Sequence, residues 1–99
     1  MICDPTKLDD AGCLGAPDLV IEILSPNTSL KDVKHKYTLY EEYWVKEYWL
    51  VHTTDLLVNV FDLKEDRFQL RKIFAKEDDI ESNAVSGLVV DLNEVFENL

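Results

Sequence analysis

The segment Pro17-Asp18-Leu19-Val20-Ile21-Glu22-Ile23-Leu24-Ser25 restricts the folds open to this chain more than any other stretch. It is short, rich in branched apolar residues and apolar at both parities, which is the pattern of an interior strand covered on both faces. Side chains alternate across a strand, so Asp18, Val20, Glu22 and Leu24 share one face while Leu19, Ile21 and Ile23 share the other. An ionised carboxylate in such a strand is costly unless it is paired, metal-bound or protonated. Glu22 therefore requires a partner. Asp18 stands two pleat repeats away, about 13 Å at roughly 3.3 Å per residue, so the two carboxylates chelate one ion only if the strand bends or Asp18 turns inward. Glu22 is the stronger candidate ligand, and Asp18 reads equally well as a strand-entry residue beside Pro17. A lysine or backbone donors would also satisfy Glu22, with no catalytic role.

The partner is foreshadowed downstream. Ser25-Pro26-Asn27-Thr28-Ser29 ends the strand, and Asp32 follows Ser29 by three residues in a near capping-box arrangement. Leu30, Val33, Tyr37, Tyr40 and Trp44 then recur on one side of a 3.6-residue period, which predicts a helix from about 30 to 43 with a core-facing stripe. Lys36 lies about 70° from the centre of that stripe, stacked with Asp32 and Tyr40 at i±4. A lysine there can lay its stem along the core and reach a carboxylate on the neighbouring strand. The expectation is a mostly buried Glu22 with the Lys36 ammonium in contact or one water away.

Beyond the helix, Glu47–Val51 and Leu56–Phe61 read as strands around the turn at 52–55, and Lys64-Glu65-Asp66 leads into a third strand, Phe68–Phe74. The three form an antiparallel meander. The alternation of Phe68, Leu70, Lys72 and Phe74 against Gln69, Arg71 and Ile73 marks an edge strand with one wetter face. Gly87–Leu92 is a last short strand and Asn93–Glu97 a terminal helical turn. Residues 1–16 hold turn formers and little periodicity, and read as a loop. At 99 residues the chain is one domain with one core.

Composition removes several functions. No apolar run approaches the roughly 20 residues of a membrane span and Met1 opens no signal peptide, so the expected location is the cytoplasm, with no membrane partner. Cys3 and Cys13 lack zinc-site companions and read as reduced thiols. There is no Gly-rich phosphate loop and no metal-binding His pair; His35 falls on the outer side of the helix and His52 ends a strand. Net charge is −10, and residues 77–99 hold seven acidic side chains and no basic one, which opposes non-specific nucleic-acid binding. The one dense basic stretch beside the candidate site is Lys31, Lys34, His35 and Lys36.

Gly15-Ala16-Pro17-Asp18-Leu19-Val20-Ile21-Glu22-Ile23-Leu24-Ser25-Pro26, then Asp32, Lys36 and Tyr40, then Lys46-Glu47-Tyr48-Trp49-Leu50-Val51, and finally Gly87-Leu88, Asp91-Leu92 and Phe96 together resemble the Uma-two family, bacterial restriction endonucleases of the PD-(D/E)XK superfamily. The resemblance covers nearly the whole chain. It implies a restriction endonuclease-like α/β core, a mixed β-sheet with a helix following the central strand. By position, Asp18 and Glu22 match the metal-binding carboxylates and Lys36 the catalytic lysine, moved from the strand to the helix. Leu24 stands where the superfamily usually has that lysine, so the chemistry rests on Lys36. Trp44 replaces a turn glycine and His52 an aspartate. The family's Gln-Pro-Asp motif would lie upstream of Ile2, so the chain reads as an N-terminally truncated core of a longer domain, expected to cleave slowly or not at all.

The resemblance therefore implies hydrolysis of DNA phosphodiester bonds with Mg²⁺, or Mn²⁺, at Asp18 and Glu22, and with Lys36 supporting the attacking water. Two alternatives stay open: a non-catalytic remnant that keeps the fold, and a protein-interaction module in which Glu22 and Lys36 form a structural ion pair. Truncation would leave apolar surface uncovered, which predicts a homo-oligomer.

Overall fold

Alternation, turn residues and helix caps are realised as a four-stranded mixed sheet in the computed structural model, which describes residues 18–97 together with the backbone of two short strands, β1 (Leu8–Asp9) and β2 (Gly12–Cys13). The order along the chain continues β3 (Leu19–Leu24), α1 (Leu30–Glu42), β4 (Glu47–His52), β5 (Leu57–Lys64), β6 (Arg67–Ala75), β7 (Asp79–Glu81), β8 (Val89–Asp91) and α2 (Leu92–Glu97). The main sheet runs β3-β4-β5-β6, with β3 parallel to β4 and the other pairs antiparallel. A parallel pair needs a crossover, and α1 supplies it. Among the described residues β3 has one sheet neighbour, β4.

Both faces of the sheet are covered. On one, Val33, Tyr37 and Tyr40 of α1 pack on Val20, Tyr48 and Leu50. On the other, Ile80, Leu92 and Phe96 of the β7–β8–α2 unit pack on Leu19, Trp49, Val51, Val58 and Val60. The two parities of β3 thus enter two different cores, as the strand pattern requires. The antiparallel β7–β8 pair was not expected from the sequence, because Asp79-Ile80-Glu81 offers a single apolar residue to read. Within the segment read as a loop, β1 and β2 pair antiparallel, and a two-residue ladder leaves no alternation to recognise. The side chains of Cys3 and Cys13 lie outside the described residues. No helix among the described residues is long and apolar enough to cross a membrane.

Three local features depart from the sequence expectation. The stripe of α1 is exposed at both ends: Leu30 projects from the first turn and Trp44 lies beyond the last. Trp44 nevertheless takes the glycine conformation, with φ 59°, because the Trp44 and Val45 amides donate to the Glu41 and Tyr40 carbonyls and close the helix end as a Schellman turn. That left-handed backbone costs a non-glycine residue about 1–2 kcal/mol. Finally, β6 changes parity midway. Val60 pairs Lys72 while Phe61 pairs Leu70, so Arg71 is an extra, bulged residue. Phe68 therefore joins the α1-side core and Phe74 the opposite one, instead of sharing a face.

Candidate active site

Residues far apart in sequence meet where β3 runs beneath α1. Parity turns Glu22 toward the helix, with Val20 and Leu24. The connection is short and tied: the Thr28 amide donates to the Ser25 carbonyl at 3.0 Å, and the Ser25 amide donates to Thr28 Oγ1 at 3.0 Å. Ser29, extended at φ −77° and ψ 143°, then caps the helix by accepting from the Asp32 amide. From that start, residues 32, 36 and 40 stack along one helix line.

The line lies over Glu22. The Tyr40 hydroxyl donates to Glu22 Oε1 at 2.8 Å, and Lys36 Nζ stands 3.5 Å from Glu22 Oε2 and 3.8 Å from Asp32 Oδ2. Tyr40 thus makes a full hydrogen bond, whereas Lys36 is a loose ion pair at the limit of hydrogen-bonding range. The Glu22 side chain is 23% exposed and that of Lys36 39%, so the carboxylate is less buried than expected and sits at the margin of the core. A pair this exposed adds at most about 1 kcal/mol to stability. Its lysine keeps donors free for an incoming anion.

Glu22, Asp32, Lys36, Thr28 and Tyr48 help wall a cavity of about 80 Å³. Tyr48 is wholly buried, and its hydroxyl has no partner among the described residues. Burial, then the hydrogen bond to Glu22 and its charge, push the Tyr40 phenol from 10.0 up to about 12. Tyr48 is also raised, by burial and by the Glu22 carboxylate. Both shifts favour the protonated phenol in the folded chain. Stability contributed by Tyr40 is therefore whole below pH 10 and lost as pH climbs toward about 12. Thermal melts taken upward from neutral pH should show Tm falling in that window, and Tyr40→Phe should flatten part of the fall. An unchanged alkaline profile in the variant would refute the assignment.

Asp18 is held elsewhere. It is buried at the entry to β3, its carbonyl accepts from the Glu47 amide at 3.1 Å, and its carboxylate lies 3.4 Å from Lys46 Nζ. The walls of the Glu22 cavity do not include it. His35 is exposed on α1, and His52 ends β4 with a buried Nε2 that has no partner among the described residues. His52 lines a larger cavity, about 410 Å³, at the carboxyl ends of β3 and β4. That cavity shares Leu24, Thr28 and Val33 with the smaller one but lacks its Glu22–Lys36 pair.

A second polar cluster, unread in the sequence, lies on the opposite face of the sheet. Glu47 is wholly buried and accepts five hydrogen bonds: Oε1 from Ser82 Oγ at 2.7 Å and from the Asn83 and Ala84 amides at 3.0 and 2.9 Å, Oε2 from Trp49 Nε1 at 2.7 Å and Arg71 at 2.9 Å. Arg71 also grips both oxygens of Asp62 at 2.7 Å. Its hydrogen bonds hold the Asp62 carboxyl below the ordinary range, and Asp62 in turn raises Arg71. With every oxygen of Glu47 occupied, this cluster locks the 82–84 loop to the sheet and leaves no lone pair for a substrate. Its one sequence signal is the acid opening Glu47-Tyr48-Trp49-Leu50-Val51, at the same parity as Trp49. Among the described residues no three His, Cys, Asp or Glu side chains converge closely enough to hold a metal together.

Comparison with known proteins bears on the same core. The model of the Uma2 family, described as "Putative restriction endonuclease", matches residues 2–93. No curated protein matches the chain. Among solved structures the chain is similar to a "putative nuclease belonging to DUF820" from Anabaena variabilis ATCC 29413, at 20% identity and a TM-score of 0.68, over 93% of this chain and 54% of that one. The chain thus spans about half the length of that structure, and the likeness establishes a shared fold.

Proposed function

The chain belongs to the Uma2 family, and from that premise we propose that it is a metal-dependent endonuclease acting on DNA phosphodiester bonds. The observation that carries this reading is the Lys36 ammonium standing 3.5 Å from the Glu22 carboxylate at the wall of a cavity. The donor chemistry fits a hydrated Mg²⁺ or Mn²⁺: Glu22 and Asp32 both line one cavity, and Mg²⁺ takes one or two carboxylates while keeping several waters. Glu22 would hold the ion, with Asp32 as the second carboxylate of the cavity, while Asp18, the other expected ligand, stays with Lys46 at the strand entry. When bound, such an ion polarises the phosphate and eases deprotonation of water.

The side chains divide the remaining work. Tyr40 holds Glu22 Oε1, which fixes the carboxylate plane and leaves Oε2 toward Lys36. Lys36, loosely paired, donates to a non-bridging phosphate oxygen or to the attacking water, where negative charge develops as the new P–O bond forms and an ester P–O bond breaks. Lys31 and Lys34, on the same helix, offset locally the repulsion between a chain of net charge −10 and a polyanion.

Cleavage of supercoiled plasmid with Mg²⁺ or Mn²⁺ tests the reading. Lys36→Ala and Glu22→Gln should each lower the rate by about 10²–10³, the usual loss for removing one charged stabiliser of the transition state. Calorimetric Mn²⁺ binding should survive Lys36→Ala and weaken in Glu22→Gln. Cleavage that persists through both substitutions would place the chemistry elsewhere. The exposed Leu70 and Ile73 of edge strand β6 support the further proposal that copies of this chain self-associate in the cytoplasm, a proposal that a monomer in sedimentation at working concentration would end.

A further inference from the structure

We propose that the cavity of about 410 Å³ at the carboxyl ends of β3 and β4 receives an unpaired nucleobase of the strand whose phosphate meets Lys36, which makes single-stranded or locally opened DNA the substrate; this rests on the nuclease reading above. Its place is the first reason. β3 and β4 are the parallel pair of the sheet, and open α/β sheets take their ligands in the crevice outside the carboxyl ends of such strands. The cavity shares Leu24, Thr28 and Val33 with the one walled by Glu22 and Lys36, so the two lie side by side. A base is joined to its phosphate through a single sugar, and the two groups need neighbouring seats.

The division of charge is the second reason. The smaller cavity has Lys36 on its wall for an anion, whereas among the described residues the larger is lined by no lysine or arginine and by one acid, Asp55. It suits the neutral part of a nucleotide and repels the charged part. Leu24, Leu30, Val33 and Leu50 supply apolar wall, and the volume falls within the roughly 300–1,000 Å³ of small-molecule pockets. Hydroxyls of the lining residues are engaged inside the protein: Ser25 Oγ and Thr28 Oγ1 share a hydrogen bond at 3.3 Å, and Thr53 Oγ1 donates to the Leu24 carbonyl at 2.7 Å. Contact with a base is therefore chiefly apolar, and its identity matters little. Leu30 is the third reason. It belongs to the core-facing stripe of α1, yet it is 69% exposed while Val33, Tyr37 and Tyr40 pack on the sheet. At its first residue the stripe lines the cavity instead. A paired base must leave its stack to enter such a site, a cost that an unpaired base is spared.

Binding separates this proposal from cleavage. A short fluorescein-labelled single strand, its duplex, and the same strand built of abasic nucleotides are titrated by anisotropy at low salt with EDTA present. The single strand should bind about tenfold tighter than either the duplex or the abasic strand, the effect of one seated base. Leu30→Ala, at an exposed position, should weaken the single strand about threefold and leave the duplex unchanged, whereas Lys36→Ala should weaken both. Thymidine 5′-monophosphate should shift the amide NMR signals of Leu30, Thr53 and Thr54. Equal affinity for single strand and duplex, an abasic strand bound as well as the intact one, Leu30→Ala within error of wild type, or no binding by any form would overturn the base seat. Self-association abolished by Leu30→Ala would overturn it as well, by giving the cavity to a second copy. If the base dependence holds and no metal supports cleavage, the nuclease reading falls and the base seat stands; if plasmid is cleaved without base-dependent binding, the seat falls alone.

Discussion

Glu47→Ala is expected to cost about 3–5 kcal/mol of folding stability, the range for removing one partner from a buried charged network. The reason lies in what the substitution strands. Arg71 loses one of its two carboxylates, Trp49 Nε1 and Ser82 Oγ lose their acceptor, and the amides of Asn83 and Ala84 are left inside the protein with nothing to donate to. Each unsatisfied buried donor alone costs about 1–3 kcal/mol. A domain of this size has only some 5–15 kcal/mol in total, so the variant should be close to unfolded at body temperature. Glu47→Gln should recover little, because an amide nitrogen would face donors where the carboxylate oxygen accepted. Urea melts monitored by tryptophan fluorescence would read the loss; a midpoint within error of wild type for both variants would mean that the cluster is incidental.

Trp49→Ala should by itself cost about 3–5 kcal/mol, here mainly through the cavity it opens among Leu19, Val51, Val58, Val60, Ile80 and Phe96. Trp49→Phe separates packing from hydrogen bonding, since most of the ring remains while the donor to Glu47 is lost. It should cost about 1–3 kcal/mol. In the Glu47→Ala background that donor has no acceptor left to lose, so the cost of Trp49→Phe should shrink, giving a coupling of about 0.5–3 kcal/mol in a double-mutant cycle. Strict additivity would show that the 2.7 Å contact carries no energy.

What could be read from the sequence was local. The strand parity, the Ser29 cap and the helix angle of Lys36 each depend on residues within one or two turns of one another, and together they brought Lys36 to Glu22. The Glu47 cluster was not legible, because its partners other than Trp49 lie 24 to 37 residues downstream and Arg71 reaches it only through a bulge with no local signature. Asp18 was read as a companion to Glu22, yet Lys46, brought back by the crossover, stands beside it. Trp44 shows the reverse case: the absence of glycine argued against a left-handed turn, and two backbone hydrogen bonds outweighed a side-chain preference. Tyr40 and Tyr48 were visible only as core, since an apolar stripe says nothing of where a phenol's oxygen ends up.

Strand β4 carries the structural lock and a wall of the Glu22–Lys36 cavity on alternate residues, Glu47 and Trp49 to one side and Tyr48 to the other. A slip of one residue in its pairing would exchange them, thrusting a carboxylate among the aromatic rings of the α1 face and a phenol into the cluster that expects an anion. No partly correct register can therefore form the cavity without the lock. Misfolded copies of this chain would lose cavity and lock together, leaving no half-assembled form with one and not the other.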